Sequence, residues 1–168
     1  QLTGVFNRRY LDDKLAGEIQ RARRYGRKLS LLMIDLDRFK EINDTLGHNG
    51  GDAILIETAQ LLRTHSREVD LVFRYGGDEF VILLPETPYE AALAKAENLR
   101  RETADRPFSN TLDPSRPVHV TLSIGVTAFT LDIKGAEELL HVADEALYTA
   151  KREGRNRLHG AVKVLRTN

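Results

Sequence analysis

The segment 74–84 constrains the fold most, because the residues Gly-Gly-Asp-Glu separate two apolar, β-prone runs within it. Glycine adopts positive φ without steric cost, so two glycines at this place predict a tight hairpin. Asp78 and Glu79 would then hold two carboxylates at the hairpin tip. Crowded carboxylates repel one another unless a cation lies between them or one binds a proton. The tip is therefore either a cation or proton site, or a solvated acidic turn.

Composition narrows the classes of function. The 168 residues are enough for one domain with a hydrophobic core. Because 25 basic and 25 acidic residues cancel, neither a nucleic acid nor an anionic membrane is an expected partner. The absence of cysteine excludes disulfides and thiolate chemistry, and no apolar run approaches the ~18 residues of a membrane span. Since the sequence starts at Gln1 inside a turn, we expect residues 1–168 to be one domain of a longer protein.

Apolar periodicity predicts the order helix, strand, helix, helix, strand, strand, helix, strand, helix. The continuous run from 29 to 34 predicts a central strand buried on both faces. A short helix from Phe39 should end near Gly47 and precede a longer one. Strict alternation over 118–127 predicts a strand with one polar face. A crossover combined with a hairpin favours an α/β (α+β) fold of ferredoxin-like or palm type, with a mostly antiparallel central sheet and flanking helices.

Six motifs, the hairpin included, occur in a fixed order along the chain. They are Leu2-Thr3-Gly4 with Asn7-Arg8-Arg9, Asp35-x-Asp37-x-Phe39-Lys40-x-x-Asn43-Asp44, Gly47-His48-x-x-Gly51-Asp52, Arg74-Tyr75-Gly76-Gly77-Asp78-Glu79-Phe80, Thr121-x-Ser123-x-Gly125, and Ala143-Asp144-x-Ala146-Leu147-Tyr148-x-Ala150-Lys151-x-x-Gly154-Arg155-Asn156. From Leu2 to about Leu158 the chain closely resembles the GGDEF domain of diguanylate cyclases. The resemblance implies a nucleotidyl cyclase-like fold and the condensation of two GTP into the bacterial second messenger cyclic di-GMP, with release of two pyrophosphates.

Asp35 and Asp78 are the candidate metal ligands. Asp35 ends the buried strand and would meet Asp78 if the two strands are neighbours in the sheet. Two hard carboxylates bind Mg²⁺ or Mn²⁺ and leave positions open for phosphate oxygens and water. The resemblance implies this pairing, with the backbone carbonyl of Leu36 as a further ligand. It also implies that Glu79 binds a second metal ion or helps to deprotonate the attacking 3′-hydroxyl. For Asp35 alone, the alternative is a strand-end cap.

Asn43 and Asp52 suit a guanine base. A carboxylate accepts hydrogen bonds from N1–H and the exocyclic amine of guanine, whereas N1 of adenine is an acceptor and would be repelled. The resemblance implies base contacts at these two positions, with Phe39 and His48 nearby in the substrate site. An acidic residue favoured by the helix dipole is the alternative for Asp52, and the two roles are compatible.

Lys40, Lys151 and Arg155 are the candidate triphosphate contacts. Lys151 and Arg155 lie four residues apart, one helical turn, so both can face one phosphate chain. The resemblance implies that this pair contacts the β- and γ-phosphates and that Lys40 lies near charge that develops during transfer. Basic residues that complement the dipole at a helix C-terminus are the alternative.

Arg67 and Asp70 form an RxxD motif, and five residues separate Asp70 from Gly76. The resemblance implies an inhibitory site for the product cyclic di-GMP in this register, with Arg21 as a second arginine. Arginine can bind a phosphate or a guanine edge, and aspartate accepts from guanine. Asn98 departs from the arginine that relatives often carry, which predicts weaker binding. A surface ion pair is the alternative.

The resemblance also implies a transient antiparallel homodimer, because each 3′-hydroxyl must attack the α-phosphate held by the partner. It implies a cytoplasmic domain without membrane contact of its own, in a parent that is soluble or membrane-anchored. Two other functions remain as alternatives. A regulatory GGDEF module would bind GTP or cyclic di-GMP without turnover, but its signature carboxylates are often altered, and here they are intact. A cyclase or polymerase-palm relative with another substrate is disfavoured by Asn43 and Asp52.

Overall fold

The computed structural model describes residues 2–164, which are built around one six-stranded sheet. The strands are β1 (Phe6–Asn7), β2 (Leu29–Leu36), β3 (Leu71–Arg74), β4 (Glu79–Pro85), β5 (Leu122–Ala128) and β6 (Arg157–Gly160). The helices are α1 (Arg8–Tyr25), α2 (Phe39–Thr64), α3 (Tyr89–Asp105) and α4 (Ala136–Arg152). Within residues 2–164, no helix has the length and apolar character that a membrane span requires.

The sheet has the strand order β1-β3-β4-β2-β5-β6. Strand β2 pairs antiparallel with both β4 and β5, and β3 pairs antiparallel with β4. The two edge pairs, β1 with β3 and β5 with β6, are parallel. The four inner strands run β3-β4-β2-β5, with α2 and α3 as crossover connections. The predicted α/β, ferredoxin-like fold with a mostly antiparallel sheet is therefore confirmed.

Helices cover both faces of the sheet, so β2 is buried along its whole length. Leu32 and Ile34 belong to the apolar cluster shared with α2 and α3. Leu31 and Met33 belong to the cluster shared with α1 and α4. Because successive side chains of a strand alternate between its faces, the continuous apolar run corresponds to a strand with a core on each side.

Helix α2 is interrupted at Gly47, whose φ of 72° and ψ of 173° are not helical. Glycine adopts this combination without the steric cost that other residues pay. The prediction of a short helix ending near Gly47 and a longer one after it is thus confirmed. The longer segment buries Ile54, Leu61 and Leu62 in the core, and His65 just beyond its end is exposed.

Two predictions for β5 are wrong. The alternation over 118–127 predicted one polar face, yet the strand starts four residues later and both of its faces are buried. The preceding chain makes a single bridge, in which Val118 and Phe108 exchange backbone hydrogen bonds of 2.9 Å. Helix α4 covers the expected polar face because Gly125 lets it approach closely. A Cβ on Gly125 would lie 2.2 Å from the carbonyl oxygen of Ala143.

The edge strands β1 and β6 have no counterpart in the sequence-based prediction. Strand β1 is two residues long, and β6 lacks an apolar alternation, so neither carries a periodic signal. The parallel pairing of β6 with β5 nevertheless fixes the chain that follows α4, and that chain carries Arg155.

Gly125→Ala should lower the free energy of unfolding by about 1–3 kcal/mol, because the added methyl group overpacks the contact between β5 and α4. Its nearest atoms would be the carbonyl oxygen of Ala143 and the amide nitrogen of Leu147, at 2.2 and 2.5 Å. Urea unfolding followed by circular dichroism measures the change. Unaltered stability would contradict the close approach of helix and strand.

Gly17→Ala is the matched control for that experiment. Gly17 lies in the middle of α1, and a Cβ there has no neighbour within 4 Å. Alanine should therefore leave stability unchanged or raise it by up to about 1 kcal/mol, through its better helix propensity.

Candidate active site

The predicted hairpin lies between β3 and β4, and backbone hydrogen bonds close its turn. The amides of Tyr75 and Gly76 both donate to the carbonyl oxygen of Glu79, at 2.8 and 3.3 Å. The Arg74 side chain braces the turn by donating to the carbonyl oxygens of Gly76 and Gly77, at 3.2 and 2.8 Å. The acidic residues of the turn therefore rest on a rigid support.

The two glycines serve a different purpose from the one predicted. Neither Gly76 nor Gly77 has a positive φ, so the turn does not depend on a left-handed conformation. A Cβ on Gly76 would lie 2.7 Å from Oε2 of Glu79. Glycine at this position thus makes room for the Glu79 side chain to fold over the turn. A Cβ on Gly77 would have no neighbour within 4 Å, which leaves the tip accessible.

Asp35 and Asp78 meet, because their strands are neighbours in the sheet. Asp35 pairs across the sheet with Glu79, and the amide of Leu36 donates to the carbonyl oxygen of Asp78 at 3.1 Å. The Asp35 side chain is only 8% exposed and its carboxyl group adjoins that of Asp78. Burial raises the pKa of Asp35 to about 7; the ion pair with Lys151 opposes this rise and the charge of Asp78 adds to it.

Lys151, which was expected to contact a triphosphate, pairs with Asp35 in this structure. It lies in the last turn of α4, and its ammonium group donates to Oδ2 of Asp35. The helix reaches this strand end because it packs closely on β5 at Gly125. The Lys151 side chain remains 31% exposed, so its flexible stem can also reach a ligand that binds beside Asp35 and Asp78.

Arg155 does not share a helical turn with Lys151, and that part of the prediction is wrong. Helix α4 ends at Arg152. Arg155 adopts a left-handed φ of 63°, and its amide donates to the carbonyl oxygen of Ala150 at 3.1 Å. This bond closes the helix end and leaves the Arg155 side chain exposed.

The donor atoms at the end of β2 fit a divalent cation. Oδ1 of Asp35 is buried without a hydrogen-bond partner, and Asp78 supplies a second hard oxygen donor beside it. Leu36, whose backbone carbonyl is the expected further ligand, is the last residue of the strand. Among residues 2–164, no group of three or more Asp, Glu, His or Cys side chains could hold a metal ion unaided. Mg²⁺ is often bound by one or two carboxylates together with substrate phosphates and water, so these donors are typical of a site that a nucleotide completes.

Glu79 is half-buried, and the pKa of its carboxyl group is raised. Burial is the main cause, Lys151 opposes it, and the charges of Asp78 and Asp144 add to it. A carboxylate with a raised pKa is a better proton acceptor than a solvated one. Asp144, whose place in the α4 motif predicted no role, therefore contributes to the electrostatics of this site.

Phe39, Asn43 and Gly51 come together across the break at Gly47. A Cβ on Gly51 would lie 1.8 Å from Oδ1 of Asn43 and 3.2 Å from Cζ of Phe39. The lack of a side chain at Gly51 thus lets Asn43 pack against the start of the longer segment, directly beside Asp52. Asp52, the other residue predicted to bind guanine, is thus the chain neighbour of the glycine on which Asn43 packs.

Three further candidates are accessible at the same end of the molecule. Asp52, His48 and Lys40 are exposed. Lys40 lies in the first turn of α2, which follows the strand end that carries Asp35. All three side chains are therefore open to a ligand.

Arg67 and Asp70 lie between α2 and β3 and form an ion pair with each other. Oδ1 of Asp70 accepts from the Arg67 guanidinium, and Oδ2 accepts from the Arg67 amide, both at 2.9 Å. Lys95 lies 3.4 Å from Oδ2, and Arg67 also donates to Oγ1 of Thr87 at 2.6 Å. Both oxygens of the buried Asp70 are thus engaged within the domain, whereas Arg67 and Arg21 are exposed.

Asp37 is the site residue that sequence reasoning missed. Its buried carboxylate accepts from the hydroxyls of Thr121 and Ser123, both at 2.6 Å, and from the amide of Asn156 at 2.9 Å. All four residues stand in the quoted motifs, but their spacing did not show that they converge. The available signal was the Asp-x-Asp spacing at the end of a buried strand, since residues two apart extend to the same side.

Comparison with known proteins identifies clear relatives. The family model described as "Diguanylate cyclase, GGDEF domain" matches residues 1–157. Response regulator PleD of Caulobacter vibrioides (strain NA1000 / CB15N) is 44% identical over 160 residues, which are 95% of this chain and 35% of that protein. Diguanylate cyclase DosC of Escherichia coli (strain K12) is 46% identical over 159 residues, 94% of this chain and 34% of that protein. The chain thus spans about a third of the length of these relatives.

Solved structures confirm the expected nucleotidyl cyclase-like fold. The GGDEF domain of DgcB from Caulobacter crescentus, in complex with c-di-GMP, superposes with a TM-score of 0.90 at 29% identity and covers 95% of this chain and 90% of that one. Diguanylate cyclase SiaD from Pseudomonas aeruginosa, in complex with its activator SiaC, gives a TM-score of 0.87 at 36% identity over 96% of this chain and 60% of that one.

The raised pKa of Asp35 predicts a pH-dependent stability. Below pH 3.8 the carboxyl is protonated in both the folded and the unfolded protein, and between pH 3.8 and about 7 only the folded protein keeps the proton. The contribution of Asp35 to stability is therefore largest in acid, falls as the pH rises towards 7, and is constant above it. Between pH 4 and pH 8, the free energy of unfolding of Asp35→Asn should rise by on the order of 2–4 kcal/mol relative to that of wild type.

Urea unfolding at pH 4, 6 and 8 in a chelating buffer measures the gap in unfolding free energy between Asp35→Asn and wild type. Asp13→Asn, on the exposed face of α1, is the control and should follow the wild-type curve. A gap between Asp35→Asn and wild type that does not widen with pH would contradict the raised pKa.

Proposed function

Because the chain belongs to the GGDEF domain family of diguanylate cyclases, we propose that it condenses two molecules of GTP into cyclic di-GMP and releases two pyrophosphates. The contact between Asp35 and Asp78 carries the proposal, since it lies at the same end of the sheet as Asn43 and Asp52. A metal-binding carboxylate pair beside a guanine-binding pair is the combination that a GTP-dependent phosphoryl transfer needs.

Asp35 and Asp78, with the backbone carbonyl of Leu36, are the proposed ligands of Mg²⁺ or Mn²⁺. When bound there, the ion polarises the α-phosphate and offsets charge on the departing pyrophosphate. The protein contributes rigidity, because one carboxylate leaves a strand that is buried on both faces and the other sits on a braced hairpin. Fixed ligands need no reorganisation during the reaction.

Asn43 and Asp52 are the proposed guanine contacts, with Phe39 and His48 at the edge of the base site. Asp52 accepts hydrogen bonds from N1–H and the exocyclic amine of guanine, and the Asn43 amide forms hydrogen bonds with the remaining polar atoms of the base edge. Adenine would leave these groups unpaired, which is the basis for strong discrimination. The packing of Asn43 on Gly51 restricts the position of its amide, which supports this role.

Lys40, Lys151 and Arg155 are the proposed triphosphate contacts. Lys151 pairs with Asp35, and we expect its ammonium to contact phosphate oxygens when a nucleotide and its cation occupy the site. Arg155 presents its guanidinium from the exposed turn after α4, where it can contact the β- and γ-phosphates. Lys40 is placed to stabilise charge that builds up during transfer.

Glu79 is the proposed acceptor of the proton from the 3′-hydroxyl, or a ligand of a second metal ion. Its raised pKa suits a general base, because the ideal base titrates near the working pH. The Glu79 side chain packs over Gly76 at the tip of the hairpin. This is the part of the site that a second GTP would approach.

Two copies of the domain are needed for the complete reaction. Each domain supplies one guanine site and one metal site, whereas the cyclic product contains two guanosines joined by two phosphodiester bonds. We therefore propose a transient antiparallel homodimer, in which each 3′-hydroxyl attacks the α-phosphate of the other GTP. Activity should then depend on the concentration of the domain.

Cyclic di-GMP is also the proposed inhibitor at Arg67 and Asp70, with Arg21 from a second domain. The exposed guanidinium of Arg67 can contact a phosphate or a guanine edge. Asp70 could accept from a guanine only after giving up hydrogen bonds to Arg67. Together with Asn98 in place of an arginine, this cost favours weak binding.

Asp78→Asn should lower turnover by at least about 100-fold, because it removes the charge of a proposed metal ligand. The purified domain is incubated with GTP and Mg²⁺, and the products are separated by anion-exchange chromatography. Wild type should yield cyclic di-GMP and pyrophosphate in a ratio of one to two. Asp13→Asn, on exposed α1, should keep wild-type turnover. GTP binding without any product in the wild type would instead favour a regulatory module.

Asp52→Ser should relax base choice from GTP towards ATP. A serine hydroxyl can both donate and accept, so it no longer repels N1 of adenine as a carboxylate does. The preference for GTP over ATP should fall by about 10-fold or more, as measured by the ratio of kcat/KM values. Asp44→Ser, an exposed acidic residue in the short segment of α2, is the control. An unchanged preference in Asp52→Ser would show that Asp52 does not read the base.

A further inference from the structure

The turn that follows α4 has three consecutive residues with positive φ, a strained conformation for residues other than glycine. Gly154, Arg155 and Asn156 have φ values of 121°, 63° and 45°. For residues with a Cβ, a left-handed conformation costs roughly 1 kcal/mol or more, and it persists where surrounding contacts enforce it. Two such residues stand side by side here, and Arg155 is one of the proposed triphosphate contacts. Something outside the turn must therefore hold it.

Asp37 provides the main external contact of this turn. Oδ2 of Asp37 accepts from the amide of Asn156 at 2.9 Å and from the Thr121 hydroxyl at 2.6 Å, while Oδ1 accepts from the Ser123 hydroxyl at 2.6 Å. The amide of Asp37 in turn donates to the carbonyl oxygen of Thr121 at 2.9 Å. Three neutral donors thus orient the buried carboxylate, and one of them belongs to the turn.

Asn156 is held from a second direction by α3. Its side-chain oxygen accepts from the Arg100 guanidinium at 2.9 Å. Arg100 is itself oriented by a two-pronged contact with Glu97, at 2.7 and 2.8 Å. The backbone of Asn156 is therefore tied to Asp37, at the end of β2, and its side chain to α3.

The position of Asp37 links this turn to the metal ligands. Asp37 lies two residues after Asp35, so one strand end supplies both a proposed metal ligand and the anchor of the turn that carries Arg155. Loss of the oxygen of Asp37 that accepts from the amide of Asn156 is expected to move the turn relative to the metal site. A carboxylate that only satisfied the hydroxyls of Thr121 and Ser123 would have no such effect.

We propose that Asp37 is a positioning residue for triphosphate binding, which acts by holding the turn 154–156 through the amide of Asn156. Arg100 supports the same turn through the Asn156 side chain. This inference rests on the proposed function, because it requires that Arg155 contacts the β- and γ-phosphates.

The test compares a triphosphate with a monophosphate. Binding of α,β-methylene-GTP and of GMP, each with Mg²⁺, is measured by titration calorimetry, and the ratio of the two affinities isolates the contribution of the outer phosphates. Asp37→Ala should lower this ratio about tenfold, the size expected for one displaced charge-assisted contact. Affinity for GMP should change little. A general loss of structure would weaken both ligands, so the ratio distinguishes positioning from stability.

Four further variants make the comparison specific. Arg155→Ala should lower the ratio by the same factor, and the double variant Asp37→Ala with Arg155→Ala should lower it no further, because both changes remove one contact. Asp37→Asn should restore the ratio to near the wild-type value, since its amide oxygen can still accept from Asn156. Ser123→Ala removes a bond to the carboxylate oxygen that does not touch the turn, and should leave the ratio unchanged.

The outcomes separate the inference from the proposed function. An unchanged ratio in Asp37→Ala, or additive losses in the double variant, would overturn the positioning role while Arg155 keeps its phosphate role. An unchanged ratio in Arg155→Ala would overturn both. If Asp37→Ala does not fold, Arg100→Ala decides: it lies on α3 with part of its side chain exposed, and it should lower the ratio, whereas a wild-type ratio overturns the proposal.

Discussion

The carboxylates at the end of β2 create the constraint on which the rest of the site depends. The strand is buried on both faces, so Asp35 and Asp37 emerge from an apolar environment in which an uncompensated charge is costly. Each is compensated differently. Asp35 pairs with a lysine from α4, while the adjoining carboxyl group of Asp78 disfavours its charge. Asp37 accepts from two hydroxyls and an amide. The first arrangement can accept a cation, while the second fixes the backbone around it.

This division explains why a stable fold and a reactive site coexist in one small region. The raised pKa of Asp35 shows that its ionised form is held at a cost to stability, which is common where a residue serves a ligand more than the fold. Asp37 shows no unsatisfied polar atom and strengthens the same strand end. Two residues at one strand end thus have opposite roles, because Asp37 stabilises the backbone and Asp35 is available to a ligand. The hydrogen bonds of Asp37 limit how far the backbone at Asp35 can move.

The sequence predicted the features that depend on local periodicity. The buried strand and the hairpin followed from the apolar pattern, and the break at Gly47 followed from the glycine itself. The meeting of Asp35 and Asp78 required in addition that the two strands be neighbours, which the family resemblance implied. The sequence could not predict contacts that depend on how α4 docks. The pairing of Lys151 with Asp35, and the buried second face of β5, both arise because Gly125 admits the helix backbone. The same limit applies to Arg155, whose four-residue spacing from Lys151 suggested a helical turn that the chain does not make.

The close packing of α4 on Gly125 also limits which motions can move Lys151 away from Asp35. A Cβ on Gly125 would lie only 2.2 Å from the carbonyl oxygen of Ala143, so the backbones of helix and strand are in close contact and the helix cannot slide along β5 without breaking that packing. Lys151 can therefore leave Asp35 only by rotating about its own side-chain bonds. Rotations of exposed side chains take picoseconds to nanoseconds, whereas shifts of whole helices take microseconds or longer. The contact between Lys151 and Asp35 can therefore be exchanged for a contact with an arriving nucleotide without any shift of α4.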